Sequence, residues 1–513
     1  MTHKQKFWFS SSIAGASSLL AIITIFGKGF GLIREIVYAS NFGLSLEFDL
    51  FLVGSVVLIS INTAVYYLAQ HYFIPEYHLK KKISIEEGKL FFNSSFTLFI
   101  MAGFFLSLIL FLFSSQIVQV FISEQNQRSF ELTRTIFVIF LFSIPFNSGI
   151  SITSAYLQSN FNFHFPALVQ LIMNIIIVAL VFFLSDIYKI LILPFSFLFS
   201  YIIGFLILIH KTRKEIKFSF NYFFKLKVSS KQVKNLISLL VIEVLSLSYT
   251  LLDRYYFENL DQGGISALNY AMTLYVLPIS IVSISIITVL FPKFAESANS
   301  SLENLSSNLK NGININIYLM IPISIIFVFM GGDFIKIFYE RGKFTSSDTV
   351  ITHVALLYYS ISLVFYATYL VLVKLLYSVS KYSIILYLST IAFFLKMFLN
   401  HILVDSLKQN GLALSTSLVY IFLLFSSSYF SFNLFKMDRA SYYFKQFIFT
   451  LSKSILALIF IYIVSELIVL PDLLKFLTNF LLFILFYLLS SILIESDDYM
   501  IIKNTMASLR NHN

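Results

Sequence analysis

About fourteen runs of roughly twenty mostly apolar residues follow one another along this chain, the length that an α-helix needs to cross a bilayer. They lie near 12–38, 48–74, 90–114, 132–157, 164–184, 188–209, 233–256, 266–291, 313–331, 350–378, 382–403, 411–434, 446–466 and 473–494. None alternates strictly in polarity, and each is about twice too long for a membrane-barrel strand. The fold class is therefore an all-α polytopic membrane protein. Composition agrees: of 513 residues, 58% are hydrophobic and only 12% charged, about half of the ~25% charged that a soluble domain carries. Disorder is excluded as well, because it needs low hydrophobicity and high charge. The absence of cysteine rules out disulfides, thiolate nucleophiles and cysteine-based metal sites.

The charges in the connections set an orientation. Residues 1–24, with Lys4 and Lys6 before an apolar run, resemble a signal peptide. The run continues past Phe26 to Ile36 and Val37, longer than a cleaved signal core. An uncleaved first helix is expected. With the N-terminus cytoplasmic, the even-numbered loops hold Lys80, Lys81, Lys82 and Lys89, then Lys211, Arg213, Lys214, Lys217, Lys225, Lys227, Lys231 and Lys234. The first odd-numbered loop holds Glu47 and Asp49 and no cation. That asymmetry follows the positive-inside rule and puts both termini in the cytoplasm. The excess of 36 Lys and Arg over 26 Asp and Glu is then loop chemistry, and nucleic acid is not an expected partner.

The longest polar connection, about 210–232, divides six spans from eight. The two parts share a weak similarity in which Arg34 aligns with Arg254, Gly43 with Gly263 and Asp49 with Asn269, while Tyr156 and Ser159 sit near the places of Tyr377 and Ser380. Two pseudo-symmetric six-helix lobes are expected, residues 1–210 and 233–435, joined by a basic cytoplasmic linker, 211–232, and followed by spans thirteen and fourteen with a tail, 436–513. Repeats of one topology related by an axis along the membrane normal are typical of alternating-access transporters, with substrate held between the lobes.

Ionisable residues at bilayer depth mark pathways, cavities or buried pairs. Span one holds Lys28, Arg34 and Glu35 among Gly27, Gly29 and Gly31, which loosen a helix. Asp49 opens span two, in which Asn62, Gln70 and His71 follow; span seven holds Glu243, Asp253 and Arg254; Lys374 and Lys396 lie in spans ten and eleven. Arg34, Glu35, Asp49, Asp253 and Arg254 lie close enough to helix ends to snorkel. Lys28 is deeper. Glu243 and Lys396 suit buried pairing as well as a site, and His71 and His401 suit packing better than ligation. Pro145, Pro278 and Pro322 are kinks that membrane helices tolerate and that serve gating in some transporters. No G-x-x-x-x-G-K-[S/T] loop and no H-E-x-x-H pair occurs, so neither ATP hydrolysis nor zinc chemistry is expected. No cofactor is implied, and Asp497-Asp498 reads as a solvated pair on the tail.

These residues resemble a known family. The run Gly27-Lys28-Gly29-Phe30-Gly31-Leu32-Ile33-Arg34-Glu35, continued by Asn41-Phe42-Gly43 and Phe48-Asp49, is similar to the first helix pair of the MurJ/MviN lipid II flippases, within the multidrug/oligosaccharidyl-lipid/polysaccharide exporter superfamily. So are Asp253-Arg254, Gly264-Ile265-Ser266-Ala267-Leu268-Asn269-Tyr270-Ala271, Pro278, Val289-Leu290-Phe291-Pro292, and Tyr339-Glu340-Arg341-Gly342-Lys343-Phe344-Thr345. The resemblance runs collinearly from about residue 10 to 435. It implies two lobes around a cationic cavity, a groove for the polyprenyl tail at the last two helices, and transport of a lipid-linked glycan pyrophosphate rather than enzymatic chemistry. Lys28 and Arg34 match family cavity cations, and Asp49 matches the family acid. Asn62 stands where the family has Arg after Pro-Asn-Leu, and that Pro is missing as well. Thr273 stands where the family has Arg in Tyr-Ala-x-Arg-Leu. Tyr66 and Tyr67 replace Glu-Gly. The expected substrate-binding residues are Lys28, Arg34, Asp49, Arg254, Asn62 and Thr273, with charge otherwise moved to Arg254, Lys374 or Lys396. The alternatives are a flippase for another lipid-linked oligosaccharide, such as an O-antigen precursor, and an ion-coupled small-molecule exporter. A membrane glycan polymerase would need a long outer loop, which the chain lacks. With no ATP motif, an ion gradient, the membrane potential or removal of product is expected to drive transport.

Overall fold

The computed structural model describes residues 13–217, 230–435, 440–467 and 470–493. Lys4, Lys6, Lys225, Lys227, most of the basic linker and Asp497-Asp498 lie outside these residues. The described residues form helices and short turns with no strand. Ten helices or continuous helical runs are long and apolar enough to cross a membrane, and one bent pair adds an eleventh. One of the ten, His164–Thr212, spans 49 residues and is two helices joined by a 3-10 turn. With Ile13–Phe42 and Ser230–Tyr255, helices lie on all the expected spans. The chain is a multi-pass membrane protein. Its contacts divide it into two units, 1–266 with 341–343, and 267–340 with 344–513.

The first unit holds α1 (Ile13–Phe42), α2 (Leu46–Leu68), α3 (Ile74–Ile83), α4 (Ile85–Leu112), α5 (Ser114–Gln119), α6 (Gln127–Leu141), α7 (Ser143–Ser159), α8 (His164–Tyr188), α9 (Ile192–Thr212) and α10 (Ser230–Tyr255). Helix α1 stops at Gly43, which takes the left-handed conformation at φ 55°. Ser45 then caps α2 by accepting a hydrogen bond from Phe48 N at 3.3 Å, with Glu47 and Asp49 in the first turn, where acids favour the helix dipole. A π turn over Ala69–Phe73 carries α2 into α3, and Lys80, Lys81 and Lys82 close α3 at the end that favours cations. The packing between α4 and α7 rests on aromatic stacking, with Phe92 and Tyr156 ring centroids 3.9 Å apart.

Connections on alternate sides of the unit gather at opposite ends. At one end Lys81 donates to Asn160 Oδ1 at 2.7 Å, Lys89 pairs with Glu215 at 3.1 Å, and Asn93 Nδ2 donates to Glu215 O at 3.1 Å. These contacts join the second, fourth and sixth connections. At the other end Ser185 donates to Asn41 Oδ1 at 2.7 Å and Ser123 N to Glu258 Oε1 at 2.7 Å, which joins the first to the fifth and the third to the seventh. Residues 341–343 belong to this end: Gly342, at φ 60°, lies against Ser40, and Lys343 N donates to Ser40 O at 2.8 Å.

The second unit holds α11 (Gly264–Pro278, whose first turn belongs to the first unit), α12 (Ile284–Ser300), α13 (Leu302–Tyr339), α14 (Ser346–Ser360), α15 (Leu363–Ser378), α16 (Tyr382–Leu407), α17 (Gln409–Phe435), α18 (Ala440–Leu467) and α19 (Asp472–Leu493). A second π turn, Ile279–Ser283, links α11 to α12, and α14 meets α15 at a 45° bend. Thr345 and Asp348 form a capping box at the start of α14. Tyr270, Tyr339 and Phe344 pack as an aromatic triad with centroids 5.0–5.9 Å apart. Lys396 is fully buried and ties α16 to α17, donating to Leu412 O at 3.0 Å, Ser415 Oγ at 2.9 Å and Thr416 Oγ1 at 2.6 Å. The last two helices are held on α13 by a polar seam. Lys453 lies over the rings of Phe449, Tyr318 and Tyr487, and Tyr487 donates to Tyr318 O at 2.7 Å.

The internal repeat is written in the backbone. Left-handed residues pair off as Gly43 and Gly263, Phe161 and Ser380, and Lys189 and Lys408, at φ 55° and 82°, 60° and 59°, and 49° and 52°. Their spacings of 220, 219 and 219 residues match the 220 of Arg34 to Arg254 to within one residue. Most side chains avoid this conformation, so three matched breaks in register mark one helical plan used twice.

Candidate functional site

Asp49 is fully buried at the start of α2. Its carboxylate accepts from Gly263 N and Ser266 N, each at 2.7 Å, and from Ser266 Oγ. It thus closes the first turn of α11 from outside, neutralising N–H groups that the helix cannot pair itself. Gly263, at φ 82°, makes this turn, and a Cβ there would lie 2.6 Å from Leu44 O. Arg254 is 6% exposed and within electrostatic reach of Asp49. The acid from the first repeat and the arginine from the second are therefore both buried inside the first unit.

Arg34 is placed differently. Its guanidinium pairs with Glu35 Oε1 at 3.0 Å, keeps 27% of its side chain exposed, and lies 5.8 Å from the Tyr38 ring centroid and 5.6 Å from that of Phe197. Its Nε has no hydrogen-bond partner. Tyr201, one turn along α9 from Phe197, is also within its electrostatic reach. Lys28 is exposed on α1.

Tyr201 belongs to the wall of a cavity of about 540 Å³ enclosed by α2, α7, α8 and α9. Asn62, Tyr66, Asn147, Gln158 and Gln170 contribute to the same wall, and no charged side chain does. The cavity reaches Phe163 and Gln158, beside the turn that also holds Asn160, the partner of Lys81. Asn62 is 5% exposed; it donates to Ser143 Oγ at 3.3 Å and accepts at its main-chain oxygen from Asn147 at 3.0 Å, while its Oδ1 has no partner. In the second unit Thr273 is half-buried and bonds back to Asn269 O at 3.0 Å, and Lys374 lies 5.5 Å from the Tyr377 ring centroid. Among the described residues no group of three or more His, Asp or Glu could hold a metal ion.

The model of the lipid II flippase MurJ family matches residues 68–487. The chain belongs to the MurJ lipid II flippase family. Members of this family are transporters, not enzymes. The chain is 27% identical over 435 residues to the probable lipid II flippase MurJ of Buchnera aphidicola subsp. Schizaphis graminum, covering 80% of this chain and 82% of that protein. A solved lipid II flippase MurJ in an inward closed conformation superposes with a TM-score of 0.78 at 26% identity, covering 93% of this chain and 99% of the other. An inward-facing multidrug transporter of the MATE family, in the MOP superfamily, shares the fold at a TM-score of 0.67 and 12% identity, with 82% and 98% covered. Within the MurJ plan this chain brings Asp49 and Arg254 together and leaves Lys28 and Arg34 accessible. It has an amide, Asn62, on the wall of an uncharged cavity. Tyr201, Asn147, Gln158 and Gln170 went unnoticed in the sequence; their one signal is an uncharged polar side chain recurring within apolar spans.

Proposed function

We propose that the chain carries a polyprenyl-pyrophosphate-linked envelope glycan, lipid II or a close relative, from the cytoplasmic to the outer leaflet of the bacterial cytoplasmic membrane by alternating access. Membership of the MurJ family carries this reading, and the part-exposed Arg34 in the first apolar span supports it. A pyrophosphate leaving water needs cations, and a guanidinium offers it a two-pronged, always charged partner. In this reading Lys28 and Arg34 meet the substrate, Asp49 and Arg254 hold the helices that present it, and Asn62 and Thr273 take uncharged parts of the cargo. Residues 1–210 and 233–435 act as the two lobes, 211–232 links them, and the tail runs beside the helix pair of 436–513. No nucleotide drives the cycle. The membrane potential contributes about 2.3 kcal/mol per charge per 100 mV, and an inside-negative potential pushes an anion outward. In a depletion strain, loss of the chain should make a lipid-linked glycan accumulate on the cytoplasmic side. Accumulation of a small cationic drug instead would point to an exporter.

The same reading puts both termini and residue 220 in the cytoplasm. It is supported by the clustering of Lys80, Lys81, Lys82, Lys89 and residues 215–217 at one end of the first unit. Topology reporters fused at residue 220 and at the C-terminus should both read cytoplasmic; an external signal from either would reverse the orientation.

The glycines of α1 separate packing from movement. A Cβ added at Gly27, Gly29 or Gly31 would meet nothing within 4 Å, while glycine in a helix costs roughly 0.5–1 kcal/mol relative to alanine. Gly29→Ala with Gly31→Ala should therefore raise the unfolding temperature and lower the transport rate severalfold, because α1 loses its bending point. Thermal melts alongside a vesicle flipping assay check both arms. A stabilised variant with the normal rate would show that α1 does not bend.

A further inference from the structure

We propose that Lys396 is a tethered ammonium filling a monovalent-cation site between α16 and α17, so that the second unit carries on its own side chain a cation that would otherwise come from solution. The proposal stands on this geometry alone and is independent of what the chain transports.

The internal repeat supplies the comparison. The left-handed residues Lys189 and Lys408 set a spacing of 219 residues between the helix pairs α8–α9 and α16–α17. At that spacing Lys396 corresponds to Ile177, Asn400 to Val181 and Thr416 to Phe197. Ile177 and Val181 are buried, as are Lys396, Asn400 and Thr416. The serine is common to both copies: Ser196 and Ser415 each place a hydroxyl 2.8 Å from a leucine carbonyl, Leu193 O and Leu412 O. The first copy thus joins its two helices with hydrocarbon, and the plan requires no charge here. A buried ion costs several kcal/mol of desolvation, and well-packed apolar residues of similar volume are often as stable or more so. The second copy nevertheless has polar groups at all three positions, gathered around one point near the middle of α16.

The oxygens there form a cage. Nζ donates to Leu412 O at 3.0 Å, Ser415 Oγ at 2.9 Å and Thr416 Oγ1 at 2.6 Å. The protons of the Ser415 and Thr416 hydroxyls are engaged by Asn400 Oδ1 and Leu412 O, so their lone pairs face the ammonium. Oxygens converging on one point are what replaces the hydration shell of a monovalent cation inside a membrane protein. An ammonium is a compact point charge and suits such a cage, whereas a planar guanidinium does not. Because the charge is tethered, it cannot leave, and this cage exchanges no cation with solution during a cycle.

The test melts the purified full chain in lipid nanodiscs in choline chloride, then with choline replaced at constant ionic strength by ammonium, potassium or sodium at about 100 mM. Samples stand overnight, because ions reach a buried cage through local opening. Lys396→Ser keeps the oxygens and empties the cage. It should melt below the wild type in choline, and at least one of the three small cations should restore about half or more of the difference, saturably. The wild type should not respond. Lys396→Met refills the space without the charge and should stay low in every salt. Packing alone predicts the reverse order, with Met above Ser because Ser leaves a hole, and no effect of the ion. A Lys396→Ser chain that ignores all three cations, or a wild type raised by them as much as the variant, would overturn the proposal. Cells supply potassium, so Lys396→Ser should also reach the membrane in at least the amount that Lys396→Met does; its failure to accumulate would count equally against the cage. None of these outcomes touches the transport function.

Discussion

Arg34→Ala is expected to abolish transport of the lipid-linked glycan in cells whose membranes hold the variant at the normal level. Arg34 combines a charge within the first apolar span with a guanidinium that keeps part of its surface exposed, so in the proposed mechanism its loss would leave the pyrophosphate without a cation in a medium where charges interact strongly. Arg34→Lys should keep part of the activity, because a point charge replaces a two-pronged donor. Removing the arginine also takes an ion-pair partner from the buried Glu35. The control is therefore Arg34→Ala with Glu35→Gln, which relieves that carboxylate and should remain inactive. Complementation of a depletion strain, with membrane levels measured for each variant, decides the matter. Full complementation by a well-expressed Arg34→Ala chain would remove the guanidinium from the mechanism. Lys396, enclosed by Leu412 O, Ser415 and Thr416, should behave differently: its replacement should lower the amount of protein rather than the rate per molecule.

Asp49→Ala should fail at an earlier stage. The substitution leaves Gly263 N, Ser266 N and the Ser266 hydroxyl without their acceptor and removes the carboxylate beside Arg254. Leaving a buried donor without its acceptor costs about 1–3 kcal/mol, and three such losses are a large share of the ~5–15 kcal/mol that holds a typical domain together. The variant is expected to be nearly absent from the membrane, with the little that remains unfolding at a much lower temperature. Asp49→Asn keeps one acceptor oxygen and should fall between. If Asp49→Ala accumulated normally, melted normally and merely lost transport, Asp49 would belong to the substrate path and not to the frame.

Hydropathy alone located the helices, because a bilayer admits little besides long apolar helices. It was blind to the details that depend on packing. Pro278 marked a kink just before the π turn at Ile279–Ser283, but the 45° bend between α14 and α15 leaves no trace in an apolar run. For the candidate site, the sequence pointed to charged residues but not to their partners. Asp49 and Arg254 are 205 residues apart, and only the fold makes them neighbours. The cavity was harder still. Asn62, Gln158 and Gln170 look like ordinary variation within apolar helices until α2, α7 and α8 enclose a space between them. Asn62 stood out only as a departure from the family, a lost arginine, whereas in the structure it is a buried amide that bonds Ser143.

The clasp between Asp49 and the start of α11 also has a history in time. Its two sides are 217 residues apart in the chain. At a synthesis rate of about 5–20 residues per second, the carboxylate waits roughly 10–40 s before the amides that neutralise it have been made. Throughout that interval the nascent chain has an uncompensated acid at the head of its second helix. The first half of the protein can enter the membrane but cannot lock until the beginning of the second half leaves the ribosome. Residues 263–266 thus supply an early clasp, completed only when residues 341–343 reach Ser40, and a ribosome that stalled before residue 263 would leave an inserted but unlatched half for quality control to find.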